Sequence, residues 1–207
     1  MNDPKSFDFN SIEIPHWLDR NKFTDTLKSM NIPRDMDPRY FYEQVKVSTI
    51  EAYNIHTALQ KESSRGAILI GMAYLDNLLE RLIVKVFIGS NKHLKDLLSF
   101  NGPLGGLSSR VNILYSVGLL PKNIFEDLNT LRKIRNIFSH SFDIHDFSNP
   151  KIAPEIKKLN NIKNALVNTN DEAAITELLT GTIAYYGGVI YRLMLIRMPF
   201  KFADETR

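Results

Sequence analysis

Apolar residues recur along most of this chain at steps of three and four, the spacing that gathers them on one side of a helix. The least interrupted series is Ile68, Met72, Leu75, Leu79, Leu82 and Val86, placed just after Ser63 and Ser64, which suit a helix N-cap. A second series, Ile175, Leu179, Thr182, Tyr186, Val189, Leu193 and Ile196, predicts a long final helix over about 171–198. Gly181, Gly187 and Gly188 within it would let another backbone come close. A third, Ile124, Leu128, Leu131 and Phe138, predicts a helix over about 121–140, opened by Pro121 in a position that proline favours.

Shorter helical stretches fill the gaps. Tyr40 to Lys61 reads as one, Lys92 to Phe100 as another. Ser108 or Ser109 would cap a third that runs through Val117 to Gly118, and Ala153 to Val167 would form a fourth. The breaker cluster 101–106 (Asn-Gly-Pro-Leu-Gly-Gly) lacks a Lys-Ser/Thr terminus and follows a helix, so it reads as a tight connection rather than a phosphate-cradling loop. Neither an alternating strand pattern nor an internal repeat is visible. These features predict an all-α fold, an antiparallel helical bundle over 39–207. Residues 1–38 differ: Pro4, Pro15, Pro33 and Pro38 forbid a long helix, while Phe7, Phe9, Trp17 and Phe23 argue against free disorder. They read as an arm that packs on the body or on a protein partner, with Trp17 a candidate anchor.

The third series holds the one irregularity with chemical interest. Its final step of seven leaves a core slot vacant, and Arg135 fills it by sequence position. A guanidinium cannot shed its charge and is costly to bury without a partner. Asn136 and His140, four apart, share a neighbouring face. Asp76 and Glu80 flank the apolar stripe of the first series and could supply the carboxylate that Arg135 needs. The stretch therefore reads as a buried polar knot or as a phosphate-handling site.

Composition narrows the field. With 43% apolar and 24% charged residues, the chain is of ordinary globular character, and a net charge of +3 permits an anionic partner without requiring one. The absence of cysteine removes disulfides and thiolate metal sites. His140, Asp143, His145 and Asp146 crowd one loop, but no helix fixes their spacing, which weighs against a metal site, and no cofactor motif appears. The first residues carry no apolar run of the secretory kind, so the expected compartment is cytoplasmic. The segment 178–196 nearly reaches membrane-spanning length with one charge, Arg192, but its packing face favours a buried helix over a membrane span.

Four blocks, in order, resemble the mannitol operon repressor family. They are Ser64-Arg65-Gly66-Ala67 with Leu75-Asp76-Asn77-Leu78-Leu79-Glu80; Pro103-Leu104-Gly105 with Ser108-Ser109-Arg110; Gly118-Leu119-Leu120; and Ile134-Arg135-Asn136-Ile137-Phe138-Ser139-His140-Ser141. The Arg-Asn-x-x-x-His core is similar to that of the wider HEPN helical domains, many of which are metal-independent ribonucleases that work as dimers. The resemblance implies a HEPN-like bundle and a homodimer. Its first functional implication is a transcriptional repressor acting through protein contacts, since no convincing helix-turn-helix is present. Its second is an endoribonuclease of the toxin or phage-defence kind. There His140 would be the general acid or base, Arg135 would stabilise the phosphorane, and Asn136 would orient the reacting groups. Arg132, Lys133 and Arg110 would then contact the RNA backbone. On a regular helix, however, Arg135 and His140 stand about 140° apart, so one chain alone does not bring them face to face.

Overall fold

The computed structural model describes residue 8 and residues 11–32, 36–163 and 171–196, and among these it is helical with no strand. Helix α1 (Arg20–Ser29) lies in the arm, and α2 (Pro38–Leu59) follows it, with Asp37 accepting a capping hydrogen bond from the Tyr40 amide. Helix α3 (Ser64–Val86) begins after a short turn, and Ser63 Oγ accepts from the Gly66 amide at 3.1 Å. The six apolar residues that defined its stripe are all buried. Two short helices, α4 (Asn91–Leu98) and α5 (Leu107–Ser116), precede α6 (Lys122–His140). Two single turns, α7 (Ala153–Ile156) and α8 (Asn160–Lys163), lead toward α9 (Glu172–Ile196).

Helices α2 and α3 form a hairpin, and α9 lies along both. Gln60 bonds Glu177 and Tyr191 bonds Gln44, so α9 runs antiparallel to α2. Ser64 meets Glu172 and Gly71 faces Ile183, so it runs parallel to α3. Helix α6 covers the other side of α3. The main core takes leucines and isoleucines from α3, α5, α6 and α9 together with Ile144, Phe147 and Ile152 of the connection after α6. Helix α9 is long and apolar enough to cross a membrane, yet half of its most apolar window is buried against neighbouring helices. That burial makes it a core helix.

Arm residues 11–32 lie on the body. Phe23 and Leu27 of α1, with Ile12, join Phe41, Tyr42 and Val45 of α2 in a second, smaller core. Trp17 stacks on Tyr53 with ring centroids 3.8 Å apart.

Three local expectations change. Helix α5 starts one residue before the serines, with Gly106 at its N-cap and no side-chain cap. The stretch from Ala153 breaks at Lys157–Leu159 into two turns instead of one helix, and the rest of it (164–170) lies outside the described residues, as do positions 197–198 of the final helix. In the breaker cluster, a Cβ on Gly102 or Gly105 would sit 2.3 Å or 2.2 Å from a backbone carbonyl oxygen at the end of α4. Only glycine lets the chain fold back that closely.

Candidate functional site

The slot in the third series belongs to Ile134, not Arg135. From Leu131, a step of three reaches Ile134 and a step of four reaches Phe138 from there, and both are fully buried. Arg135 is exposed, and its Nη1 donates to Asn136 Oδ1 at 3.1 Å. Where steps of three and four offer an isoleucine and an arginine, the apolar side chain takes the core.

A buried arginine does exist, at Arg110. Its side chain is 7% exposed, and its Nη1 lies 2.6 Å from Asp76 Oδ1 while Nη2 lies 3.2 Å from Glu80 Oε2. Nε donates to the Leu104 carbonyl at 2.9 Å, and Nη2 to the Leu98 carbonyl at 3.3 Å. Asp76 and Glu80 therefore serve Arg110 of α5 and not Arg135. With its guanidinium enclosed in this way, Arg110 does not present a surface for an RNA backbone. The knot joins α3, α5 and the glycine turn, which are also the first two blocks of the family resemblance.

The third member of the expected trio stands apart. His140 is exposed on the last residue of α6, where a cation is favoured by the helix dipole. Ser139 Oγ donates to the Arg135 carbonyl at 2.9 Å. Lys133 is drawn to Glu155, with Nζ 2.6 Å from Oε1, and Lys158 reaches the same oxygen at 2.8 Å. These two ammonium groups hold the Glu155 carboxyl below its ordinary pKa. Arg132 touches Asn129 Oδ1 at 3.4 Å, while its Nε–H is buried with no hydrogen-bond partner. Among the described residues no group of three or more His, Asp or Glu side chains is placed to hold a metal ion.

Three polar clusters escaped the sequence reading. Arg65 Nη2 donates to the carbonyls of Ser141 and Ile144 at 2.6 and 2.7 Å, and its guanidinium lies 5.9 Å from the Phe138 ring centre. Glu172, at the start of α9, accepts from the amides of Phe147 and Ser148 and from the Ser64 hydroxyl. Both cap the loop after His140. Asp127, completely buried in α6, accepts from the Asn160 backbone and side-chain amides and from the Tyr186 hydroxyl. Burial, and then the neighbouring Asp127 carboxylate, push the Tyr186 hydroxyl well above its ordinary pKa, so it stays a donor. Asp127 sits one residue before Leu128 on an apolar face. A carboxylate in that position was the available sign of a buried acceptor.

Arg132, Arg135 and Asn136 line a surface cavity of about 480 Å³ between α3, α5 and α6. Its opposite walls are Leu69, Ala73 and Asp76 of α3 and the first turn of α5. A larger groove of about 540 Å³ lies between α1, α2 and α9 and is almost wholly apolar.

Comparison with known proteins places these features. No curated protein matches the chain significantly. A chain of the X-ray structure of the MtlR–HPr complex from Escherichia coli shares the fold with a TM-score of 0.59 and 17% identity, covering 72% of this chain and 99% of that one. The family model described as MtlR, mannitol repressor, matches residues 54–180, which span α3 to α8 and the knot at Arg110. The chain belongs to the mannitol repressor family.

Proposed function

We propose that this chain is a regulator of the mannitol repressor kind, which represses transcription through contacts with other proteins. The observation that carries this reading is the geometry of the trio. Arg135 engages Asn136 beside it, and His140, five residues on, stands about 140° from Arg135 around the helix axis. Such an arrangement does not assemble a phosphoryl-transfer centre within one chain. The related E. coli structure holds its protein together with HPr, so a partner of that type is the first to try. Phe100, on the loop after α4, and Phe142, on the loop after α6, are 93% and 88% exposed and suit an interface better than open solvent.

Titration of the purified chain with HPr, followed by calorimetry, tests the partner, and a mannitol-promoter reporter in cells lacking the chain tests repression. Saturable binding and a rise in reporter output are the expected results. The competing reading is a homodimeric ribonuclease in which a second copy completes the site around Arg135, Asn136 and His140. It predicts cleavage of single-stranded RNA in EDTA, abolished by Arg135→Ala or His140→Ala. That cleavage, from a dimeric preparation, would overturn the regulator reading.

A further inference from the structure

The cavity between α3, α5 and α6 is lined by two arginines that donate to neutral side-chain amides, Arg132 to Asn129 and Arg135 to Asn136. Arg110 is matched by Asp76 and Glu80, and Lys133 by Glu155. Among the described residues Arg132 and Arg135, which both line the cavity, form no ion pair with a carboxylate. The Arg132 Nε–H is buried without a hydrogen-bond partner. A buried donor without an acceptor is unfavourable, and a small shift of the Arg132 side chain toward an anion in the cavity would relieve it.

The wall opposite the arginines supports the same charge. Gly106, Leu107 and Ser108 line the cavity at the start of α5, whose N-cap has no side chain to satisfy the first-turn amides. Free amides at the positive end of a helix favour an anion, and the Ser108 hydroxyl adds another donor. Asn136 accepts from Arg135 through its carbonyl oxygen, which leaves its amide N–H groups for a ligand. Two guanidinium groups, an amide, a hydroxyl and a helix N-terminus surround one volume, and the one carboxylate that also lines it, Asp76, is neutralised by Arg110; this is a donor set that a phosphate takes. At the rim, Phe100 is 93% exposed, a flat apolar face beside the cationic pocket. Such a pairing suits a ring stacked on the aromatic with its phosphate turned inward. At about 480 Å³, the cavity is in the size range of small-ligand sites.

We propose that this cavity binds a nucleoside monophosphate, with the phosphate held by Arg132, Arg135 and the first turn of α5, and the base resting on Phe100. The site goes beyond the protein-contact reading and gives the regulator a small-molecule effector. The same chemistry could come from a free nucleotide or from the terminal phosphate of an RNA, and the proposal commits to the free nucleotide.

Calorimetric titration of the full chain with AMP, adenosine, inorganic phosphate and a short 5′-phosphorylated oligoribonucleotide tests it. AMP is expected to bind saturably in the micromolar range, inorganic phosphate more weakly, and adenosine not measurably. Arg135→Ala should weaken AMP by at least about tenfold, the loss of one charge-assisted contact. Phe100→Ala should weaken AMP while leaving phosphate binding unchanged, and circular dichroism should show both variants folded. Absence of saturable AMP and phosphate binding up to millimolar concentration overturns the proposal. So does AMP affinity indifferent to both substitutions, or binding of the oligonucleotide alone. None of these failures bears on HPr binding or on repression.

Discussion

At the scale of single residues, the enclosed arginine is Arg110 and not Arg135, to which periodicity gives a core slot. Arg110 is enclosed by two carboxylates and two carbonyls, whereas Arg135 is exposed and touches a neighbouring amide. Replacing Arg110 by alanine would leave Asp76 and Glu80 with an uncompensated charge, at a cost of roughly 3–5 kcal/mol. Arg135→Ala should shift stability by less than about 1 kcal/mol, as for other exposed polar contacts. Urea denaturation of both variants separates the two cases, and a larger cost at Arg135 would contradict the structure. Glu155 makes a different prediction, in pH. Its folded pKa is depressed by Lys133 and Lys158, so its stabilisation is fully present above its unfolded value near 4.5 and is lost as pH falls through the lower folded value. Wild type should therefore exceed Glu155→Gln in stability at neutral pH, and the gap should close in acid. A gap that widens below pH 4.5 would reverse the sign and refute the assignment.

At the scale of elements, the loop after α6 is held by side chains of α3 and α9 rather than by its own turns. Arg65 and Glu172 reach it from either side, the first through carbonyls and the second through amides. Arg65→Ala should remove about 1–3 kcal/mol of charge-assisted hydrogen bonding. Hydrogen exchange should quicken at the amides of 142–148 before it changes in α3. Uniform quickening across the bundle would show that Arg65 acts on the core and not on the loop. The contact of α3 with α9 turns on Gly187, where a Cβ would come within 2.5 Å of the Tyr74 ring. That close approach explains a glycine in mid-helix, where it otherwise costs stability. Gly188 faces open space instead, and a Cβ on Gly181 would only touch His56 at 4.0 Å, both beside the apolar groove under α1.

At the scale of the whole molecule, two cores share α2 and α9. The smaller one is built from Ile12, Phe23, Leu27, Phe41, Tyr42 and Val45, with Leu195 packed against it. Leu27 is 1% exposed, and its truncation to alanine should destabilise the arm by about 2–4 kcal/mol. Because few arm contacts reach α3 or α6, amide protection should fall in α1 and the start of α2 while the centre of α3 keeps its own. Equal loss in α3 would mean that the arm and bundle fold as one unit.

The helices and their buried faces were legible in the sequence because the requirement is local. A helix turns every 3.6 residues whatever surrounds it, so Ile68 to Val86 could be laid along one side from their spacing alone. The same reasoning offered Asp76 and Glu80 as carboxylates for Arg135, whereas they pair with Arg110. It could not choose which arginine. That choice depended on the glycine turn that carries Arg110 across 34 residues to Asp76, while Ile134 kept Arg135 outside. Asp127, Asn160 and Tyr186 were invisible for the same reason, since the hydroxyl stands 59 residues from the acid it serves. Periodicity reports which residues leave water, but the partners of polar groups are set by which helix ends the packing brings together. Only the tertiary structure could reveal that Arg132 and Arg135 share a cavity with the start of α5.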